Sequence, residues 1–323
     1  MLRSRYYPLA ALALIALVLW VNSCGPRAQP SQPSSEQLAA ADKALAWLRT
    51  QQKDDGSFDA GFGHPAGVTC DAALAIVAGG GDPAGWRSAA DKPSLIDYLA
   101  ENVDEYAVDA ATTGKVVVTV VASALDPRDV GGLDCLARLH SFDDGSGTYD
   151  PGTVGQAWAI LALAAAGEKV SADTLAVLES YQLESGAWAS PFGPDNDTVS
   201  YALQALIAGG AAKDSPAIGK ALNLFQEQQN LDGGFPAIKP SDWGTDTNAN
   251  STASVIMALV AVGEDPAGER WSESGGNPMT ALLALQAADG RIEFQPGMGD
   301  PLLSTVQAIP ALLDKTLPLR RKS

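Results

Sequence analysis

Cysteine and histidine are nearly missing from this chain of 323 residues: it has three cysteines, Cys24, Cys70 and Cys135, and two histidines, His64 and His140. That scarcity excludes a disulfide-stapled scaffold, and with it any zinc module built from four cysteines or from two cysteines and two histidines at finger spacing. Aromatic residues are few (7%), and positive charge is outnumbered, with 21 Lys and Arg against 38 Asp and Glu for a net charge of −17. A surface of that sign repels nucleic acid and anionic headgroups, so neither is expected as a partner of the folded part. No Gly-rich phosphate loop and no Ser-His-Asp context occurs. Long apolar runs are absent after the first two dozen residues.

The exception is the start. Arg3 and Arg5 precede the apolar stretch Leu9–Val21, which is shorter than the about 20 residues that span a bilayer. It ends in Val21-Asn22-Ser23-Cys24 and so resembles a bacterial lipoprotein signal, in which Cys24 becomes the lipidated N-terminus. An ordinary secretory signal or a short anchor is the alternative. The lipoprotein reading places residues 1–23 as a signal peptide and 24–37, rich in Pro, Ser and Gln, as a flexible tether. It puts the protein in the cell envelope, outside the cytoplasm, with the membrane as a partner through the lipid. Loss of Arg3 and Arg5 takes the net charge from −17 to about −19. The final stretch 315–323, with Arg320-Arg321-Lys322, reads as a solvated basic tail.

What the chain has in abundance is a repeat. Gln, three residues, Gly, one residue and an aromatic or apolar residue recur as Gln52-Gly56-Phe58, Gln182-Gly186-Trp188, Gln229-Gly233-Phe235 and Gln286-Gly290-Ile292. Each copy ends one helix-period stretch and precedes another, the signature of a repeat architecture. Two degenerate units complete the set: Leu95–Val103 with Thr113–Leu125, and Leu133–His140 with Gly155–Ala165. The run Val116–Val121 by itself suggests a strand, but its place in the array favours a buried helix. The second helix of each pair is Ala-rich and apolar on nearly all sides, as a helix enclosed by neighbours must be. Six such pairs predict an all-α fold, an α6/α6 barrel over 38–314. Cys70 and Cys135, starting an inner and an outer helix, are expected at opposite ends, roughly 15–20 Å apart, and therefore as free thiols rather than a disulfide.

With Lys43-Ala44 and Trp47-Leu48 before Gln52, and Lys220-Ala221 and Leu224-Phe225 before Gln229, the repeat resembles the QW motif of the terpenoid cyclase and protein prenyltransferase superfamily. The resemblance implies an α/α toroid in which the motif residues are structural. It also implies four branches to test. A cyclase needs a proton donor in Asp-x-Asp-Asp, and Asp195-Asn196-Asp197-Thr198 is the nearest match, with Asp197 at the donor position and Thr198 replacing the last acid. Capping of the following helix is the competing role for these residues. The resemblance further suggests that a cyclase of this class uses two barrels, whereas this chain has room for one. The zinc ligands of the prenyltransferases are not matched, so no metal is expected. The thioester Cys-x-x-Gln is absent. The cobalamin-carrier branch, typified by intrinsic factor and transcobalamin, binds without catalysis and implies a corrinoid, for which no residue here speaks; no cofactor is expected.

Three readings follow. In the first, a membrane-tethered toroid binds an apolar or amphipathic small molecule through His64, Tyr149, Trp158, Trp188, Tyr201, Trp243, Asp246 and Asn250, with Gln156 and Gln307 as further polar groups. In the second, an enzyme acts on isoprenoids or glycans with Asp195, Asp197, Asp242 and Asp246 at the barrel mouth. In the third, the barrel is a filled scaffold that binds a protein partner on its loop face, recognisable by exposed apolar side chains there.

Overall fold

The computed structural model describes residues 32–319 apart from Trp243; the stretch expected to be a signal peptide, Cys24 and Arg320–Ser323 lie outside it. Among the described residues, twelve α-helices form six consecutive pairs: α1 (Ser35–Arg49) with α2 (Pro65–Ala78), α3 (Leu95–Tyr106) with α4 (Ala110–Ala122), α5 (Cys135–His140) with α6 (Thr153–Ala165), α7 (Ala172–Ser180) with α8 (Asn196–Ala208), α9 (Pro216–Gln228) with α10 (Ala249–Val262), and α11 (Pro278–Ala284) with α12 (Pro301–Leu312). The even-numbered helices pack in the closed order α2–α4–α6–α8–α10–α12 and back to α2. Each odd-numbered helix lies outside, mainly against the inner helix of the preceding pair, and α1 closes the circle on α12. The expected α6/α6 barrel is what forms.

Packing explains why the inner helices tolerate poor helix formers. In α4, Val116, Val117, Val118 and Val120 are all buried, so the burial of branched side chains outweighs their strand propensity. Asp109 and Thr112 also form a reciprocal cap at its start. Small residues set the spacing: a Cβ on Gly114 would come within 2.6 Å of the Trp158 carbonyl oxygen on α6.

The repeat motif is the joint between pairs. Each motif Gln lies just past its outer helix rather than in it. Its amide donates one hydrogen bond to the carbonyl of its own Gly and one to the next unit. The second acceptor is the Trp86 carbonyl for Gln52 (3.0 Å), Ala217 for Gln182 (2.8 Å), Trp271 for Gln229 (2.8 Å) and Ala40 for Gln286 (2.8 Å). The Gln286 bond joins the last pair to the first. Gly56, Gly186, Gly233 and Gly290 have φ of 89–99°, and a Cβ at each would strike the backbone of the neighbouring unit. Phe58, Trp188 and Phe235 are fully buried. In pair three, which lacks the motif, Gln156 on α6 does the same work: it donates to the Gly147 and Thr174 carbonyls at 2.8 and 3.0 Å and accepts from the Tyr149 N–H. Gln156 is therefore structural, not a mouth group.

Three expectations need correction. The tether does not run to residue 37: Ser34 caps α1 and Gln37 is buried, donating to the Leu312 carbonyl at 3.2 Å. The segment after 314 is not a solvated tail through its described part, because Leu317 and Leu319 are buried and the Leu317 N–H donates to Gln204 Oε1 at 2.9 Å. Cys70 and Cys135 are free and buried, but not remote. Burial pushes both thiols up to about 12, and a charge on Cys135 would add to the rise at Cys70. Cys70 is the sixth residue of α2 rather than its first, so it stands well short of a full helix length from the end of the ring where α5 begins.

Candidate functional site

The six inner helices carry only three charged residues, Asp71 on α2, Lys115 on α4 and Asp197 on α8. A charge costs several kcal/mol to bury unpaired, so each needs a partner or a use. Asp71 and Lys115 form an ion pair at 2.8 Å, with side chains 13% and 17% exposed; inside a double ring of helices, that exposure is to the axial space. Lys115 Nζ lies 5.8 Å from the Trp158 ring centre, and Trp158 lies 5.5 Å from Tyr201. Burial raises the Asp71 carboxyl above its ordinary value, and Lys115 only partly reverses this. Lys115 itself loses solvation, yet the neighbouring Asp71, Tyr106 and Tyr201 more than compensate and hold it protonated. Burial likewise raises the Tyr201 and Tyr106 hydroxyls.

The two acids of Asp195-Asn196-Asp197-Thr198 divide their roles. Asp195 caps α8, accepting from the Thr198 N–H at 2.6 Å and its hydroxyl at 3.0 Å. Asp197 does not cap. Its Oδ2 accepts from the Ser251 hydroxyl on α10 at 3.2 Å, while Oδ1 is buried without a hydrogen-bond partner. Burial first, and then the charge of Asp195, push its carboxyl up to about 6, against the pull of Ser254 and Ser251.

Below this level the barrel is nearly full. Asp71, Trp158, Tyr201, Gln204, Ser254 and Leu317 are among the residues around a cavity of about 40 Å³. A water occupies about 30 Å³ and a drug-sized ligand needs about 300 Å³ or more. Leu317 belongs to the returning C-terminal segment, which closes the end of the barrel at the C-termini of the inner helices.

The other sequence candidates scatter. His64 accepts from the Ala66 N–H at 3.1 Å, capping α2, and its ring lies 5.3 Å from Tyr106. Trp188 donates from Nε1 to the Leu178 carbonyl at 2.7 Å and is fully buried between helices, so it cannot meet a ligand. Tyr149 is buried in the pair-three joint. Asn250 is satisfied within the inner ring, donating to Gln307 Oε1 at 2.7 Å and accepting from the Ser304 hydroxyl at 2.8 Å. Asp246 is exposed and lines a groove of about 860 Å³ between the loops of pairs five and six. Asp195 is committed to capping and Asp246 lines that outer groove. Trp243 lies outside the described residues. Of the candidates, Trp158 and Tyr201 line the axial cavity, and Asp197 stands one turn before Tyr201 on α8. Asp71 and Lys115 were missed; the signal was available as single charges interrupting otherwise apolar inner-helix stretches.

The loop face at the N-termini of the inner helices has its own character. Of eight exposed large apolar side chains among the described residues, six lie on its loops: Phe62, Val108, Leu183, Phe192, Leu231 and Met298. Phe192, at the tip of the hairpin formed by Ala189–Ser190 and Gly193–Pro194, is 100% exposed.

No protein-family model and no curated protein sequence matches the chain. Solved structures do. The type II terpene cyclase MstE from Scytonema superposes with a TM-score of 0.61 at 16% identity, over 87% of this chain and 98% of that one. Haptocorrin in complex with Cbi gives 0.54 at 13% identity over 91% and 71%, and a glycosidase gives 0.55 at 14% over 87% and 96%. The cyclase comparison overturns the two-barrel expectation, since a structure of that activity is matched almost end to end by this single barrel. The neighbours share an architecture that serves catalysis in some proteins and binding in another, and this chain has that architecture, an α/α toroid.

Proposed function

We propose that this protein is a lipid-anchored envelope protein whose toroid binds a partner on its loop face. The observation that carries the reading is the pairing of a filled barrel with exposed apolar side chains concentrated around one mouth. Monomeric surfaces seldom gather such residues without a binding role. The axial cavity of about 40 Å³ is too small for an isoprenoid-sized ligand. The anchor fits the same picture. Gln32, where the described chain begins, lines one groove with Leu313, Lys315 and Leu319, at the end of the barrel away from the mouth. A tether leaving there presents the mouth away from the membrane. The test is a photoreactive phenylalanine analogue at position 192 in intact cells, with the same group at Leu125 on the opposite face as control. A discrete protein adduct from position 192 alone is expected. Equal labelling from both sites, or none, sinks the proposal.

One observation favours a second reading, acid catalysis. Asp197 is an enclosed carboxyl raised to about 6, and a proton donor must hold its proton before reaction. A variant of the cyclase neighbour was solved with geranylgeranyl dihydroxybenzoate, its substrate, at a TM-score of 0.56 and 15% identity, over 86% of this chain and 96% of that one. Incubating this protein with that compound at about pH 5.5, below the raised carboxyl value, decides the matter. A cyclised product lost in Asp197→Asn supports catalysis, and no product rejects it for this substrate.

A further inference from the structure

We infer that the partner of the mouth is a basic segment with an apolar side, one cationic side chain of which reaches the axial cluster. The inference rests on the loop-face reading above and names the chemistry of its partner.

The first observation is the charge difference between the two ends. The six loops leading from outer to inner helices (50–64, 107–109, 141–152, 181–195, 229–248 and 285–300) carry 15 Asp and Glu but only 3 Lys and Arg, a balance of −12. The connections at the other end (79–94, 123–134, 166–171, 209–215, 263–277 and 313–319) carry 12 against 7, a balance of −5. The negative charge is therefore concentrated where the exposed apolar residues are. A face with both properties selects a partner that is at once basic and apolar, because charge sets encounter and sign while apolar contact supplies burial. An acidic or neutral apolar partner would leave these carboxylates desolvated and unpaired.

The second observation is on the axis. Asp197 Oδ1 is buried without a partner near the mouth end of α8, and Asp71, which already has Lys115, lines the axial cavity. A carboxylate oxygen left in that condition is costly, and a Lys or Arg tip would satisfy it. The cavity below, about 40 Å³, allows the end of one side chain and nothing larger. The Trp158 and Tyr201 rings beside it suit an approaching cation.

The test uses the full chain in neutral detergent micelles and two fluorescent helical peptides of equal length, each with Leu on one helix face and either Lys or Glu on the other. Anisotropy is measured at about 50 and about 300 mM NaCl. The Lys peptide is expected to bind, roughly tenfold more weakly at the higher salt, and the Glu peptide not to bind. Neutralising exposed mouth acids together (Glu184→Gln, Asp242→Asn, Asp246→Asn) should weaken binding roughly fivefold or more. Neutralising Asp91, Glu269 and Glu273 at the other end should not. Asp197→Asn should lower affinity without altering the helical circular dichroism. Equal weakening by both triple variants, or equal binding of both peptides, overturns the inference. If position 192 still yields its adduct in cells while the Lys peptide fails here, the loop face binds a partner of another chemistry and only the present inference is lost.

Discussion

At the scale of residues, Asp197 is the most consequential side chain. Its carboxyl is raised from 3.8 to about 6 by burial, so the folded state holds the proton more tightly than the unfolded chain. Stability contributed by the protonated form is fully present below about pH 4 and falls as pH rises toward 6. Above that the penalty is constant, on the order of 3 kcal/mol from a shift of this size. Asp197→Asn keeps the shape and removes the charge. It should raise the unfolding midpoint by several degrees at about pH 7.5 and give little gain at about pH 4, as read by thermal denaturation at both values. An equal shift at both would mean that Asp197 is ionised and well solvated. Asp197 also shows how far residue-level reading reached. The motif Asp195–Thr198 was visible in sequence, and so was the choice between cap and acid. Which acid took which role was not, because it depends on Ser251 and Ser254 arriving from α10, a distant stretch of the chain.

At the scale of elements, the described C-terminal segment behaves as part of the barrel. Its composition (Lys315-Thr316-Leu317-Pro318-Leu319) looks like a loose end, and the basic residues after it reinforce that impression. Two leucines in a short polar context give no periodicity, so their burial was not legible. The structure places Leu317 against the axial cavity and pairs its N–H with Gln204. Ending the chain after Lys315 should open that cavity and leave Gln204 without these partners. A loss of about 2–4 kcal/mol is expected from the two apolar side chains, together with binding of an apolar dye that the intact protein excludes. Unchanged stability with no dye binding would show that the segment only rests on the surface. The Gln joints, by contrast, were legible as a motif but not as a mechanism. Their spacing marked helix ends, while the second hydrogen bond of each Gln goes to a residue in the next unit. Pair three shows the limit, for Gln156 makes an equivalent joint from the inner helix and leaves no motif behind.

At the scale of the molecule, the ring is closed, and closure makes a prediction that an open array does not. Gln286 joins residues 246 apart in sequence by its bond to the Ala40 carbonyl, whereas Gln229 joins neighbours in the array. Each bonds two carbonyls, and its loss leaves them unpaired. Gln286→Ala and Gln229→Ala should therefore destabilise by similar amounts, about 2–3 kcal/mol each, measured by denaturant unfolding. In an open solenoid the terminal joint would count for much less. A negligible effect at Gln286 beside a large one at Gln229 would indicate that the seam between α1 and α12 is loose in solution.

Sequence alone determined the all-α class, the count of six pairs, the enclosed character of the inner helices and the sign of the surface charge. These follow from periodicity, composition and a motif whose parts lie within a few residues of one another. Only the tertiary structure decided that the barrel is filled and closed below by its own C-terminal segment. The same holds for the pairing of Asp71 with Lys115 inside the ring, and for the gathering of exposed apolar residues with the densest negative charge at one mouth. Those outcomes depend on groups brought together from different turns of the ring, and the packing that brings them together leaves no local pattern in the chain.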